Sequence, residues 1–312
     1  MAGQIAEFFG YRDTYKSDAA ISAAKTSICP FLNDVCTKSI QVEGKARKSG
    51  ACTVRQKKED SPSVICCPNR LYSGDYKMLD EIVKLAFKAS LPKFAGRHAV
   101  DKAISLGQPT VAVFGHRWGG ELRLPKKNGR GNYFVDWILV KINADGLAED
   151  FCAVEVQTID TTGNYRASYL GLSSVGRENE WSKVGLKWEN VNKRIIPQII
   201  YKGAVLAREA YCSAGLFMVT PDPVFKTIMH RLGGQDNVLK VGRLQPSSIT
   251  FVSYDYVENA EVKAGEIIPL EIKTKHLSTV SEVRDAFNQA QLPEENVYAN
   301  SISDALGVAF AD

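Results

Sequence analysis

The chain has 312 residues, 45% of them apolar, and a net charge of +4. That is enough for one large domain, or a domain with a small module, and for a sizeable core. No apolar run reaches the roughly 18 residues of a membrane-spanning helix, and the start from Met1 to Gly10 lacks the basic n-region and cleavage site of a secretory signal, so a cytoplasmic protein is expected.

The stretch from Cys29 to about Pro68 is polar, basic and poor in periodicity. Between residues 38 and 58, Lys38, Lys45, Arg47, Lys48, Arg55, Lys57 and Lys58 oppose only Glu43. Such a cluster can neutralise DNA phosphates or form a solvated loop. Five of the seven cysteines also lie here: Cys29, Cys36, Cys52, Cys66 and Cys67. Clustered cysteines in a cytoplasmic chain bind metal more often than they pair as disulfides. Four thiolates suit a tetrahedral structural site for zinc or iron. The spacing has no Cys-x2-Cys knuckle, so buried free thiols are the competing reading. With so little apolar periodicity, the stretch is expected to use a metal in place of a core. Cys152 and Cys212 sit in apolar runs and read as core.

Met78, Leu79, Ile82, Val83 and Ala86 recur at helical spacing across residues 76–90, and Pro92 ends the pattern. A second helix is expected from Ala99 to Leu106 and a short strand from Pro109 to Gly115. Glu121 to Leu124 alternates as a strand does, and Asn128-Gly129 is a strong hairpin signal. A two-residue turn there sets Glu121 opposite Asp136, unless Gly131 adds a bulge.

The next two segments carry the chemistry. Asn132 to Val140 places Asp136 in an apolar run, and Phe151 to Ile159 places Glu155 and Gln157 in another. A charge in a buried strand is costly unless it is paired or binds a metal. Strand residues i and i+2 share a face, so Glu155 and Gln157 project together. Two acidic strands converging on one point can hold a hard divalent cation through oxygen ligands, as metal-assisted phosphodiester hydrolysis requires. For a lone acid, a hydrogen-bonded structural network is the competing reading.

Beyond them, Tyr165, Arg166, Lys183, Lys187, Trp188, Lys193 and Arg194 follow the acidic strand and are candidates either to reach DNA or to form a solvated face. Asn190 to Tyr211 reads as a helix interrupted or begun near Pro197. Residues 214–220, 248–257 and 266–274 read as strands, and 280–290 as a helix. Residues 258–312 carry ten acids against four Lys/Arg, which leaves +10 on the first 257 residues. The four histidines, His98, His116, His230 and His276, show no ligand spacing. Strands in a meander and then mixed with helices indicate an α/β or α+β fold with a mixed central sheet.

Several motifs in one order resemble the NotI-type restriction endonucleases, iron-containing members of the PD-(D/E)xK nuclease superfamily. They are Ile5 to Gly10, Cys29-Pro30-Phe31-Leu32, Cys67-Pro68-Asn69-Arg70, Gly119-Gly120-Glu121-Leu122, Phe134-Val135-Asp136-Trp137, and Val154-Glu155-Val156-Gln157-Thr158-Ile159-Asp160. They cover about the first 170 residues; the later half matches mainly in pattern. The resemblance implies an α/β PD-(D/E)xK core, a mixed central sheet flanked by helices, over residues 76–312. A small four-cysteine metal module would occupy residues 1–75. It implies that Asp136 and Glu155 ligate Mg²⁺, that Glu121 is an additional acid, and that Gln157 stands where most of the superfamily has lysine. Cys29, Cys36, Cys52 and Cys67 would ligate a structural iron, with zinc the ion that spacing alone suggests; Cys66 departs from the pattern.

The expected function is Mg²⁺-dependent double-strand cleavage of DNA at a specific, GC-rich palindrome by a homodimer. Lys45, Arg47, Lys48, Arg166, Lys187, Lys193 and Arg194 are the candidate DNA contacts. A repair or methylation-dependent nuclease of the same superfamily is one alternative. The other is a non-catalytic DNA-binding protein with a four-cysteine metal module, which leaves the three acids unexplained.

Overall fold

The computed structural model of the protein describes residues 2–58, 61–122, 134–257, 262–263, 265–289 and 294–310. Among these, seven strands form one mixed sheet: β1 (Lys93–Ala95), β2 (Thr110–Gly115), β3 (Trp137–Ile142), β4 (Ala148–Val156), β5 (Leu216–Pro221), β6 (Ser248–Tyr256) and β7 (Leu270–Thr279). They lie side by side in chain order. β2, β3 and β4 form an antiparallel meander in which β3 pairs with β2, whereas the expected hairpin partner was Glu121–Leu124, of which Glu121 and Leu122 lie outside any strand and the rest outside the described residues. β4, β5 and β6 run parallel, so helical crossovers must join them. β7 returns antiparallel along β6, and β1 runs parallel to β2.

The sheet is covered on both faces, and β5 shows the alternation. Leu216 and Met218 pack on one face with Ile196 and Ile199 of a helix over Ile196–Leu206, Phe225 and Ile228 of a helix over Asp222–Arg231, and Val283 of a helix over Val280–Gln289. Phe217 and Val219 pack on the other with Met78, Leu79, Ile82 and Val83 of the helix over Ser73–Phe87. A strand buried on both sides reads as continuously apolar.

The N-terminal layer has a sheet of its own, in the order Tyr11–Arg12, Gly3–Phe8, Ala51–Gln56, Val64–Ile65. The first helix, α1 (Asp18–Thr26), starts where the Ser17 hydroxyl accepts from the Ala20 N–H at 3.3 Å. Lys45–Lys48 form an exposed hairpin with Ser39–Val42. The following helices are α2 (Ser73–Phe87), α3 (His98–Leu106), α4 (Arg166–Ser173), α5 (Ile196–Leu206), α6 (Asp222–Arg231), α7 (Val280–Gln289) and α8 (Val297–Leu306).

Two expectations are corrected here. The 29–68 stretch does have a core: Cys29, Phe31, Cys36, Ala51 and Cys52 pack with Ile5, Phe8 and Phe9 and with Leu172 of α4. The completing residues come from outside the stretch, so its own periodicity could not show them. The strand expected over 266–274 begins instead at Leu270 and runs to Thr279, directly into α7.

A buried ion pair fastens the layer to the central sheet. Arg70 is fully buried and Glu7 nearly so. Arg70 Nε lies 2.9 Å from both Glu7 carboxylate oxygens. Its Nη2 donates to the Ile268 carbonyl at 2.5 Å, while the Tyr256 and Thr53 hydroxyls each donate to Glu7 Oε2 at 3.0 Å. The guanidinium also lies over the Phe31 and Tyr256 rings, at 4.8 and 5.3 Å. Arg70→Met strands a carboxylate in this setting and should cost about 3–5 kcal/mol in urea unfolding. Adding Glu7→Gln to that variant should recover much of the loss, which a double-mutant cycle measures.

Candidate active site

Three sequence-selected residues meet at one end of β3 and β4. Asp136 directly precedes β3 and is half-buried. It is anchored by its neighbour: the Trp137 ring is buried against Tyr72 and Tyr76 at 5.6 and 5.3 Å. Gly115, at the end of β2, makes room, because a Cβ there would run into the Trp137 ring. The Val156 N–H donates to Asp136 Oδ2 at 2.7 Å, so the end of β4 holds the carboxylate in place.

Glu155 lies on β4 with only 3% exposure. It shares a face with Ala153, which packs on the α5 side of the sheet. Gln157, just past the strand, donates from Nε2 to Glu155 Oε1 at 2.7 Å. Gln157 is itself tied down by β5, its N–H to the Val219 carbonyl at 2.9 Å and its carbonyl to the Thr220 hydroxyl at 2.8 Å. Glu155 Oε2 is buried with no hydrogen-bond partner among the described residues.

The two acids strain each other. Burial, and then repulsion from Glu155, raise the Asp136 carboxyl to about 7. The Val156 N–H and the charge of Lys202 oppose that rise, and Glu121 adds to it. A carboxylate oxygen that is buried and unpaired beside a second acid is an acceptor set that suits a cation. Among the described residues no three Cys, His, Asp or Glu side chains form a ready ion cage. That is compatible with Mg²⁺, which commonly takes one or two carboxylates and leaves its other positions to water and substrate phosphates.

Glu121 is exposed and lies outside any strand, with Oε1 3.7 Å from His116 Nδ1. It lines a cleft of about 280 Å³ together with Asp136, Tyr72, and Thr37 and Asn69 of the N-terminal layer. The Asn128-Gly129 turn that was to set it opposite Asp136 lies outside the described residues. On the other side, Gln157 and Val156 line a cleft of about 240 Å³ with Lys38, Asp160 and Arg194. Arg194 pairs with Asp160 at 3.0 Å and Lys193 with Glu189 at 2.6 Å. Lys187 borders the neighbouring cleft with Lys38 and Tyr165. Lys45, Arg47 and Lys48 are exposed on their hairpin, and Arg166 is exposed at the start of α4.

Cys152 and Cys212 lie in the core of the central sheet, and the five clustered cysteines occupy other surroundings. Cys29, Cys36 and Cys52 share the N-terminal core. Burial raises the Cys52 thiol, with further repulsion from Cys67 and Cys29. Burial likewise raises Cys67 to about 11, and Cys36 and Cys29 add to it. Those four thiols therefore influence one another electrostatically, but among the described residues they form no group that could hold a metal. Cys66 turns away: it packs with Val54 and Val184, its Sγ donates to the Ala51 and Cys52 carbonyls at 3.8 and 3.6 Å, and burial raises it to about 12.

Two residues near the site were missed in the sequence. Lys202 Nζ lies 2.6 Å from Glu155 Oε1, and the lysine is 14% exposed. The signal was present: Lys202 falls among Ile199, Gly203 and Leu206 on the buried stripe of α5. Lys38 was read only as one of a basic run, yet it donates to the Cys66 carbonyl at 3.1 Å and borders the β4 terminus.

A family model described as "Restriction endonuclease NotI" matches residues 13–261. The chain belongs to the NotI restriction endonuclease family. The match spans all seven cysteines, all three acids and the central sheet through β6. As a NotI-family member the chain is a type II restriction endonuclease, a deoxyribonuclease. No curated protein matches it. Among the described residues no helix is long and apolar enough to cross a membrane.

The raised Asp136 carboxyl has a measurable consequence in metal-free protein. The unfolded chain releases this proton near an ordinary value of about 3.9, whereas the folded chain keeps it until about 7. The folded state thus binds more protons across that window, and the Asp136 contribution lowers stability as pH rises through it. In EDTA, Asp136→Asn should flatten this fall and raise the melting temperature at pH 7.5, as scanning calorimetry from pH 4.5 to 7.5 would show.

Proposed function

We propose that this NotI-family enzyme is a homodimer that uses Mg²⁺ to cut both strands of double-stranded DNA at a specific, GC-rich palindrome. The observation that carries the reading is the meeting of Asp136 and Glu155 at the ends of adjacent strands, with one Glu155 oxygen buried and unpartnered. The GC-rich target rests on the family resemblance. The dimer follows from symmetry, since a palindrome offers each of two identical sites one strand. A cytoplasmic location accords with this role. Residues 1–75 are assigned to a metal module and residues 76–312 to the nuclease domain.

Asp136 and Glu155 would hold the Mg²⁺, with Glu121 at the cleft rim as an additional acid. When bound, the ion supplies charge neutralisation at the phosphate and acidifies a water. Hydrolysis forms a bond from a water oxygen to phosphorus, breaks the bond to the leaving sugar oxygen, and delivers a proton there. Gln157, fixed to Glu155 and to β5, can orient the water by hydrogen bonds but brings no charge of its own. Val156 keeps Asp136 aimed into the cleft. Lys45, Arg47, Lys48, Arg166, Lys187, Lys193 and Arg194 are proposed to engage DNA, Lys193 and Arg194 by exchanging Glu189 and Asp160 for phosphates.

Cys29, Cys36, Cys52 and Cys67 are the donor set for a structural iron. Four buried thiols that influence one another electrostatically suit a soft metal, which would draw them together as thiolates. Zinc would fit the same donors, and family resemblance favours iron.

Digestion of unmethylated plasmid with purified protein and Mg²⁺ should yield discrete fragments whose sequenced ends share one palindrome. Random ends, or cutting confined to methylated plasmid, would defeat the reading. Asp136→Asn and Glu155→Gln should each lower cleavage by at least about 1,000-fold while DNA binding survives. For the metal module, elemental analysis should find about one iron per chain. Cys67→Ser should lose it and Cys66→Ser should keep it.

A further inference from the structure

The side chain at position 157 is uncharged, yet an ammonium group stands beside the acids. Lys202 Nζ contacts the same Glu155 oxygen that Gln157 Nε2 contacts, at 2.6 and 2.7 Å. We propose that Lys202, delivered by α5 from the layer that Glu155 faces, is the resident cation of the nuclease site. It serves as a positioning residue that keeps Glu155 aimed and offsets the negative charge of the cleft. The inference rests on the nuclease reading and adds a residue to it.

Three observations support the role. First, the lysine is held rather than free to sample solvent. It is 14% exposed, and its stem follows the wall of an apolar cleft of about 380 Å³ lined by Val135, Ile138, Phe151 and Val205. Second, the position is expensive. The neighbouring inner positions of α5 are Ile196, Ile199, Gly203 and Leu206, so a lysine among them must be compensated, and Glu155 is the partner it finds. Third, a π-helical turn over Val191–Ile195, a feature frequent at functional sites, runs directly into α5, from which Lys202 reaches Glu155 on β4. Without Lys202 the metal-free cleft would present Asp136 and Glu155 to an incoming phosphate with Glu155 no longer paired to a cation.

The test compares Lys202→Gln, Lys202→Arg, Lys202→Gln/Glu155→Gln and Lys202→Gln/Gln157→Lys with the full-length protein, each checked for a cooperative melt. Binding to a mixed-sequence 30-base-pair duplex is read in EDTA by fluorescence anisotropy, and single-turnover plasmid cleavage in Mg²⁺. Lys202→Gln should bind about fivefold more weakly in EDTA, and Lys202→Gln/Glu155→Gln should regain that affinity. Lys202→Arg, which retains the charge, should bind as the unaltered protein does. Cleavage by Lys202→Gln should fall by about 100-fold or more, and moving the lysine to position 157 should restore at least about tenfold of it. The proposal is overturned if Lys202→Gln cuts within about threefold of the original rate. It is equally overturned if affinity in EDTA is unchanged and Gln157→Lys restores nothing, which would leave Lys202 a packing residue. Asp136→Asn, assayed in parallel, separates the two ideas: if it still cuts, the placement of the active site fails, whereas if it is dead and Lys202→Gln is normal, only Lys202 is misassigned.

Discussion

Repulsion between Asp136 and Glu155 is the constraint around which this structure is arranged. Like charges this close in a cleft with little water lose much of their hydration, and burial together with that repulsion lifts the Asp136 carboxyl to about 7. An unsupported pair would turn away from each other. Here the antiparallel register of β3 and β4, with Trp137 opposite Val154, puts both acids at one end of the sheet. The Val156 N–H restrains one and Lys202 the other, and Trp137 is clamped between tyrosines above Gly115. Strain of this kind is stored at functional sites and offset by the rest of the fold.

The supporting scaffold is the two-faced sheet. Because β4 and β5 are buried on both sides, neither can slip without moving every alternate side chain into the wrong layer. That stiffness is transmitted to Gln157, whose main chain bonds to β5 on both its N–H and carbonyl sides. The same alternation directs Glu155 toward α5 and Val154 and Val156 toward α2. The charged residue therefore faces the helix that carries a lysine.

The N-terminal layer is joined to this sheet by the Glu7–Arg70 pair and reaches the site itself. Arg70 follows Cys67 by one short turn that carries the guanidinium to Tyr256 and Ile268. Thr37 and Asn69 border the Asp136 cleft, and Lys38 borders the end of β4. The cysteine layer and the acidic cleft are thus parts of one continuous surface.

What was legible in the sequence was local. Helical spacing marked α2 and α7, strand runs marked β2 to β6, and the i, i+2 rule alone put Glu155 and Gln157 on one face, because these patterns depend on backbone periods of 3.6 and 2 residues. Residue type also marked Asp136 and Glu155 as costly in apolar runs. What only the tertiary structure decided was which distant groups answer them. Lys202 meets Glu155 through the packing of α5 on β5 and β6, Cys66 packs apart from Cys29 and Cys36 with Val54 and Val184, and Phe8 and Leu172 complete a core that the cysteine segment lacks on its own. Each of these contacts closes a long loop between segments with no fixed spacing, so chain periodicity carries no record of it.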